Sequence, residues 1–178
     1  MDDVTIDQIF QAYGEALYLA QSMEMGMRIF YYLDKELPAM PPGKKPRIDF
    51  DQELPPDINT NSLGGFIRQF RKELLEEGAV DTQMRTLMRK LEQAAEDRND
   101  LVHIYWWQRA PLLHTQEGRA EILAELRTLI SQYRGYDEII RRLVLLILEH
   151  FGLLPDEFQS ARLQGYIQGG NLRMAWVS

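Results

Sequence analysis

Cysteine is absent from all 178 residues. That removes disulfide frameworks, thiolate metal sites and cysteine nucleophiles at once, and nothing in the chain calls for an oxidising compartment. Apolar runs of the roughly 20 residues needed to cross a bilayer are also missing. Met1 to Asp7 hold three aspartates and no basic residue, which does not read as a secretory signal, so the expectation is a soluble cytoplasmic protein without a membrane role. There is no P-loop, no Gly-x-Gly-x-x-Gly and no Gly-x-Ser-x-Gly, leaving nucleotide hydrolysis and serine hydrolase chemistry without a foothold. Positive charge is short as well: 20 Lys and Arg against 27 Asp and Glu give a net charge of −7. Phosphate contacts need basic side chains, so the overall balance argues against strong, sequence-independent binding to nucleic acid. The shortage is local, however. Residues 1–61 hold 11 acids and 5 bases, whereas residues 62–109 hold 8 of each, so a site in the middle third meets no net repulsion of an anionic substrate.

What is present describes one ordinary globular domain over residues 1–178, since 45% of residues are hydrophobic and only 26% charged, which excludes global disorder. From Thr5 to Leu37, Ile6, Ile9, Phe10, Tyr13, Leu17, Ala20, Met27 and Tyr31 share one face at helical period. Thr5 with Asp7 and Gln8 supplies a hydroxyl cap and early acceptors. Six of the eight prolines fall between Pro38 and Asn61, which predicts a long, largely helix-free crossover over 38–61 within one domain. A second helix is expected from Ser62 to Glu77, stopped by Gly78. A third, capped by Asp81, carries Met84, Leu87, Met88, Leu91, Ala95, Val102 and Trp106 and ends before Pro111. The fourth, Gln116 to Phe151, spaces Ile122, Leu126, Leu129, Tyr133, Tyr136, Ile140, Leu143 and Ile147 alternately four and three apart, a seam suited to helix packing at shallow angles. Gly152 closes it, and a short terminal helix follows near Asp156 to Ile167. No segment alternates as a strand does. The fold class is therefore all-α: an antiparallel bundle of four main helices with a short C-terminal one.

Chemistry concentrates in the third helix, from Glu96 to Trp107. Asn99 and His103 are four apart, about 40° on the wheel, and so share a face. Arg98 lies about 140° from His103, a gap its long side chain can partly close. Such a trio suits phosphodiester transfer: His103 moves protons near neutral pH, Arg98 neutralises a scissile phosphate, and Asn99 orients the imidazole or holds a substrate oxygen.

Arg98 and His103, with four residues between them and Asn99 directly after the Arg, resemble the Arg-x4-6-His signature of HEPN domains, all-α proteins of prokaryotic toxin, defence and RNA-processing systems. The long first helix, the Leu63-Gly64 helix start 35 residues before the Arg, and the aromatic run after the His are similar too. Tyr105 extends the likeness to Arg-x4-His-x-Tyr, which resembles HEPN toxins neutralised by a partner nucleotidyltransferase that adenylylates the tyrosine. The resemblance implies a metal-independent endoribonuclease without cofactor, cutting RNA by 2′-hydroxyl attack at a site shared by two subunits of a homodimer. The residues ask for a dimer independently, because that reaction needs a proton acceptor and a donor while each chain has one motif histidine.

Blander readings stand beside these. Trp106 and Trp107 could stack on bases, but core packing or dimer contact is the stronger reading. His114 and His150 are the only other histidines; the second sits where a cation answers a helix C-terminus. Asp100 and His103 lack the further ligands of a metal site. Arg98 falls inside the apolar stripe of its helix and Glu24 at the centre of its own, so a Glu24–Arg98 pair would resolve two anomalies, although Arg28 is an ordinary helical partner for Glu24. Such a pair would make Arg98 structural or hold it in place for catalysis. The alternative function is a non-catalytic HEPN-like module binding RNA, a nucleotide or a protein; a third possibility is a purely structural helical dimer.

Overall fold

The computed structural model describes residues 3–36, 63–76 and 82–152. Of these, 94% are helical and none is in a strand, which establishes an all-α helical bundle. The helices are α1 (Ile6–Glu36), α2 (Leu63–Glu76), α3 (Thr82–His103), α4 (Tyr105–Arg109) and α5 (Gln116–His150), with a 3-10 turn at Ala110–His114 between α4 and α5. The proline-rich stretch 38–61, Gly78, the Asp81 cap and the terminal helix expected at 156–167 lie outside the described residues.

Two compact units divide the chain, one formed by Met1–Glu24 with Ser62–Glu138 and the other by Met25–Asn61 with Ile139–Ser178, the division falling inside α1 and inside α5. In the second unit Met27, Ile29, Phe30 and Leu33 of α1 and Ile140, Val144 and Leu148 of α5 are buried. α5 ends on Gly152, whose φ of +67° places it in the left-handed region, while its N–H bonds the Glu149 carbonyl.

The first unit carries the motif. α1 opens on a reciprocal cap: the Thr5 hydroxyl accepts from the Gln8 N–H at 3.2 Å and the Gln8 side chain accepts from the Thr5 N–H at 3.0 Å. Side-chain pairings set the directions of the helices. Val4 with Arg119, Glu15 with Arg134 and Ser22 with Asp137 advance together, so these parts of α1 and α5 run in the same sense. Phe10 against Trp106, Tyr13 against Leu101, and Glu24 against Arg98 advance oppositely, so α3 and α4 run against α1. Arg71 of α2 reaches Glu92 of α3 with two bonds of 2.9 and 3.1 Å.

The third helix expected to run unbroken towards Pro111 is interrupted at Ile104, with φ −126° and ψ −14°. One turn earlier the Tyr13 hydroxyl donates to the Leu101 carbonyl at 3.0 Å, a side-chain bond on the stretch of helix ladder next to the break. Beyond the break, α4 is packed by aromatic rings. Trp106 lies 4.9 Å from Tyr13, 5.3 Å from Phe10 and 5.5 Å from Tyr105, centroid to centroid. Arg119 then ties the turn down, donating to the carbonyls of Val4 and Leu113 and to the Gln116 side chain. Gly118 is required at this closure, because a Cβ there would enter the backbone carbonyl of Leu112.

Candidate functional site

Arg98 sits in the fifth turn of α3 and reaches α1, and the expected pairing is present. Its Nη2 donates to Glu24 Oε2 at 2.6 Å, and the two side chains are only 25% and 15% exposed. Nη1 donates to Asn99 Oδ1 at 3.1 Å. The structure therefore brings together Glu24, Arg98 and Asn99, a carboxylate and an amide oxygen steering one guanidinium. Arg98 Nε is buried and has no hydrogen-bond partner. A guanidinium cannot lose its charge, and its planar fork of donors matches phosphate as well as carboxylate.

His103 is the last residue of α3 and is exposed. It lies one turn beyond Asn99, whose exposed side chain accepts from Arg98; the guanidinium also reaches Glu24. Apolar side chains surround this helix end: Val102 and Ile104 are exposed, and Trp107 is 86% exposed. Trp106 and Trp107, adjacent in sequence, thus part company. Trp106 belongs to the aromatic packing against α1, and Trp107 stands out in solvent.

Tyr105 is buried, and its hydroxyl donates to Glu125 Oε2 at 3.3 Å. The same carboxylate takes both arms of Arg109, Nε at 2.7 Å and Nη2 at 2.6 Å. Burial, with the Glu125 charge adding to it, pushes the Tyr105 hydroxyl above its ordinary range, so it stays protonated and a poor nucleophile at neutral pH. The bond to Arg109 holds the Glu125 carboxyl below the usual carboxylate range and raises Arg109 in return. The hydroxyl named as a modification candidate is thus shielded and engaged.

A further polar group inside the first unit escaped the reading of the sequence. Asp137 of α5 is buried and accepts from the Ser22 hydroxyl at 2.9 Å. One turn before it, Tyr133 is fully buried, its hydroxyl without a partner. Desolvation pushes that hydroxyl up, with Asp97 adding to it and Arg98 opposing. A hydrophobic seam drawn through aromatic and aliphatic residues could flag Tyr133 as core; the signal missed was that a phenol placed there needs a polar partner. Among the described residues no three His, Asp or Glu side chains gather as metal ligands would, and no helix is long and apolar enough to cross a membrane.

No protein-family model, no curated protein and no solved structure matches the chain. The HEPN likeness rests on the chain's own residues: the Arg98 to Tyr105 motif with the aromatic run after it, the long first helix and the Leu63-Gly64 helix start.

Proposed function

We propose that this protein is a metal-independent endoribonuclease of HEPN type, acting in the cytoplasm as a homodimer whose two copies of α3 form one cleft. The observation that carries the reading is the end of α3: an exposed His103, one turn from an Asn99 that bonds Arg98, with Arg98 itself held by Glu24. His103 serves as general acid or base, and its partner copy supplies the opposite role. Arg98 stabilises charge on the phosphate, and Asn99 supports it. The exposed Val102, Ile104 and Trp107 beside His103 supply the apolar area that a subunit contact needs.

The shielded Tyr105 bears on the partner reading. Adenylylation by a nucleotidyltransferase would require its hydroxyl to leave Glu125 and α4 to swing out, so we propose the toxin arrangement only for a chain opened at the Ile104 break. The second reading, a non-catalytic module that binds RNA, a nucleotide or a protein, is favoured by one specific feature: Glu24 already neutralises Arg98.

Incubation of the purified protein with RNA in EDTA tests the choice. The expected products end in 2′,3′-cyclic phosphate, light scattering gives twice the mass of one 20.8 kDa chain, and His103→Ala abolishes cleavage with unchanged helicity, since the side chain is exposed. Cleavage that survives His103→Ala, or a monomer at micromolar concentration, rules the dimeric nuclease out.

A further inference from the structure

Two buried polar atoms of the first unit lack partners within their own unit: the hydroxyl of Tyr133 on α5 and the Nε of Arg98 on α3. They lie at one level of the bundle. α3 runs against α1 while α1 runs along α5, so α3 is antiparallel to α5, and Tyr105 just beyond α3 meets Glu125. Tyr133 is eight residues after Glu125 and Arg98 seven before Tyr105, so the register sets them opposite one another. The charges felt at the Tyr133 hydroxyl agree, coming from Asp97, Arg98 and Asp100. Buried donors and acceptors are almost always satisfied, and leaving two bare in one layer would oppose folding twice.

We propose that these atoms share one internal water, which accepts from Arg98 Nε–H and is bonded by the Tyr133 hydroxyl, making Tyr133 a positioning residue for Arg98. A water needs at least two polar partners to be held inside a protein, and these are two. An anion is disfavoured at this buried inner edge of the guanidinium, where Glu24 already balances its charge and the Tyr133 hydroxyl also feels Asp97 and Asp100. With the water in place, the guanidinium is fixed on three sides, by Glu24, Asn99 and Tyr133 through the water. The inference stands apart from the nuclease reading, since it concerns how Arg98 is held whatever Arg98 does.

The test follows the arginine Nε–H resonances of the full chain by NMR, identifying that of Arg98 by its loss in Arg98→Lys. Arg109 Nε–H, bonded to Glu125, is the internal control. Tyr133→Phe keeps the ring and removes only the hydroxyl. The expected result is a slowly exchanging Arg98 Nε–H that shifts and exchanges faster in Tyr133→Phe while Arg109 does not move, with the folding equilibrium constant falling about threefold to tenfold. A crystal structure would then show a water within hydrogen-bond range of both atoms. An Arg98 Nε–H unchanged by Tyr133→Phe overturns the proposal, and so does a folding constant that rises, the result expected when a truly unpartnered buried hydroxyl is deleted.

Discussion

The helical run from Arg98 to Arg109 holds two arginine–glutamate pairs, one on each side of the Ile104 break, and they are built differently. Arg109 gives both arms to Glu125, a tyrosine hydroxyl adds a third bond, and the Tyr105 ring lies 5.8 Å from the guanidinium. Arg98 gives a single arm to Glu24, one to its neighbour Asn99, and keeps its Nε free of protein partners. Yet the bonds of Arg109 sit nearer to water: its pair is 29% and 36% exposed, against 25% and 15% at Arg98 and Glu24. A saturated, fork-on-fork pair close to solvent is a clamp, tying α4 to α5. A pair that is more enclosed and leaves donors uncommitted is a support that positions a charge. The number of bonds and the burial of the charge therefore point in opposite directions, and the measurable consequences differ.

The sharpest way to break this comparison is to remove each carboxylate. Glu24→Ala strands a poorly solvated guanidinium and should destabilise the protein by about 2–4 kcal/mol, less than a fully buried pair would cost because some water reaches it. Glu125→Ala removes three bonds but leaves Arg109 where solvent screens it, for about 1–2 kcal/mol. Urea unfolding of both variants decides the order. Equal or reversed costs would mean that bond count outweighs burial here. A double-mutant cycle of Glu24→Ala with Arg98→Lys should be non-additive by roughly 0.5–3 kcal/mol, as true neighbours are.

These pairs also show how far the chain could be read without coordinates. Glu24–Arg98 was legible because each charge interrupts an apolar stripe, and an interruption at matching places on two helices invites a pairing. The start of α1 and both ends of α5 fell within a residue of those expected, since caps and period mark them locally. The buried face of α1 was not so legible. Small residues carry much of it, Ala12, Ala16 and Ala20 with Met23 and Met27, while the larger Ile6 and Phe10 are exposed. Size and hydrophobicity pulled the expected stripe towards the big side chains, although close helix approach selects alanine. On α5 the expected seam kept to Leu129, Tyr136 and Leu143; the buried positions are Ile130, Asp137 and Val144, one residue on. Asp137 is the reason, because an aspartate at a core position reads as surface until Ser22 is seen bonding it. The break at Ile104 has no local signature; beside it stands a bond from Tyr13 of another helix, which no local pattern could show.

Raising the pH gives the smaller effect and sharpens the contrast between a clamped and a buried phenol. Tyr105 and Tyr133 both have hydroxyls raised above the unfolded value of about 10. Raised acids contribute stability that is fully present below that value and is lost as pH rises above it, because the unfolded chain then releases protons the folded one keeps. Stability should hold through neutrality and fall above pH about 10, by up to about 1.4 kcal/mol per pH unit for each tyrosine. Tyr133→Phe should remove one such contribution and flatten the fall. Tyrosinate absorbance that develops for every tyrosine before unfolding would contradict the burial.

On the nuclease reading proposed above, the distinction between support and clamp is tested most directly by the RNA-cleavage rates of Arg98→Lys and Arg109→Lys in EDTA, measured side by side per folded molecule. If Arg98 is positioned for phosphate and Arg109 only ties helices together, Arg98→Lys keeps its helicity and loses about a hundredfold or more in rate, while Arg109→Lys is less stable and cuts at the rate of the parent protein. Equal rates for the two variants, or an Arg98→Lys protein as active as the parent, would contradict the account and leave Arg98 as a second structural pair.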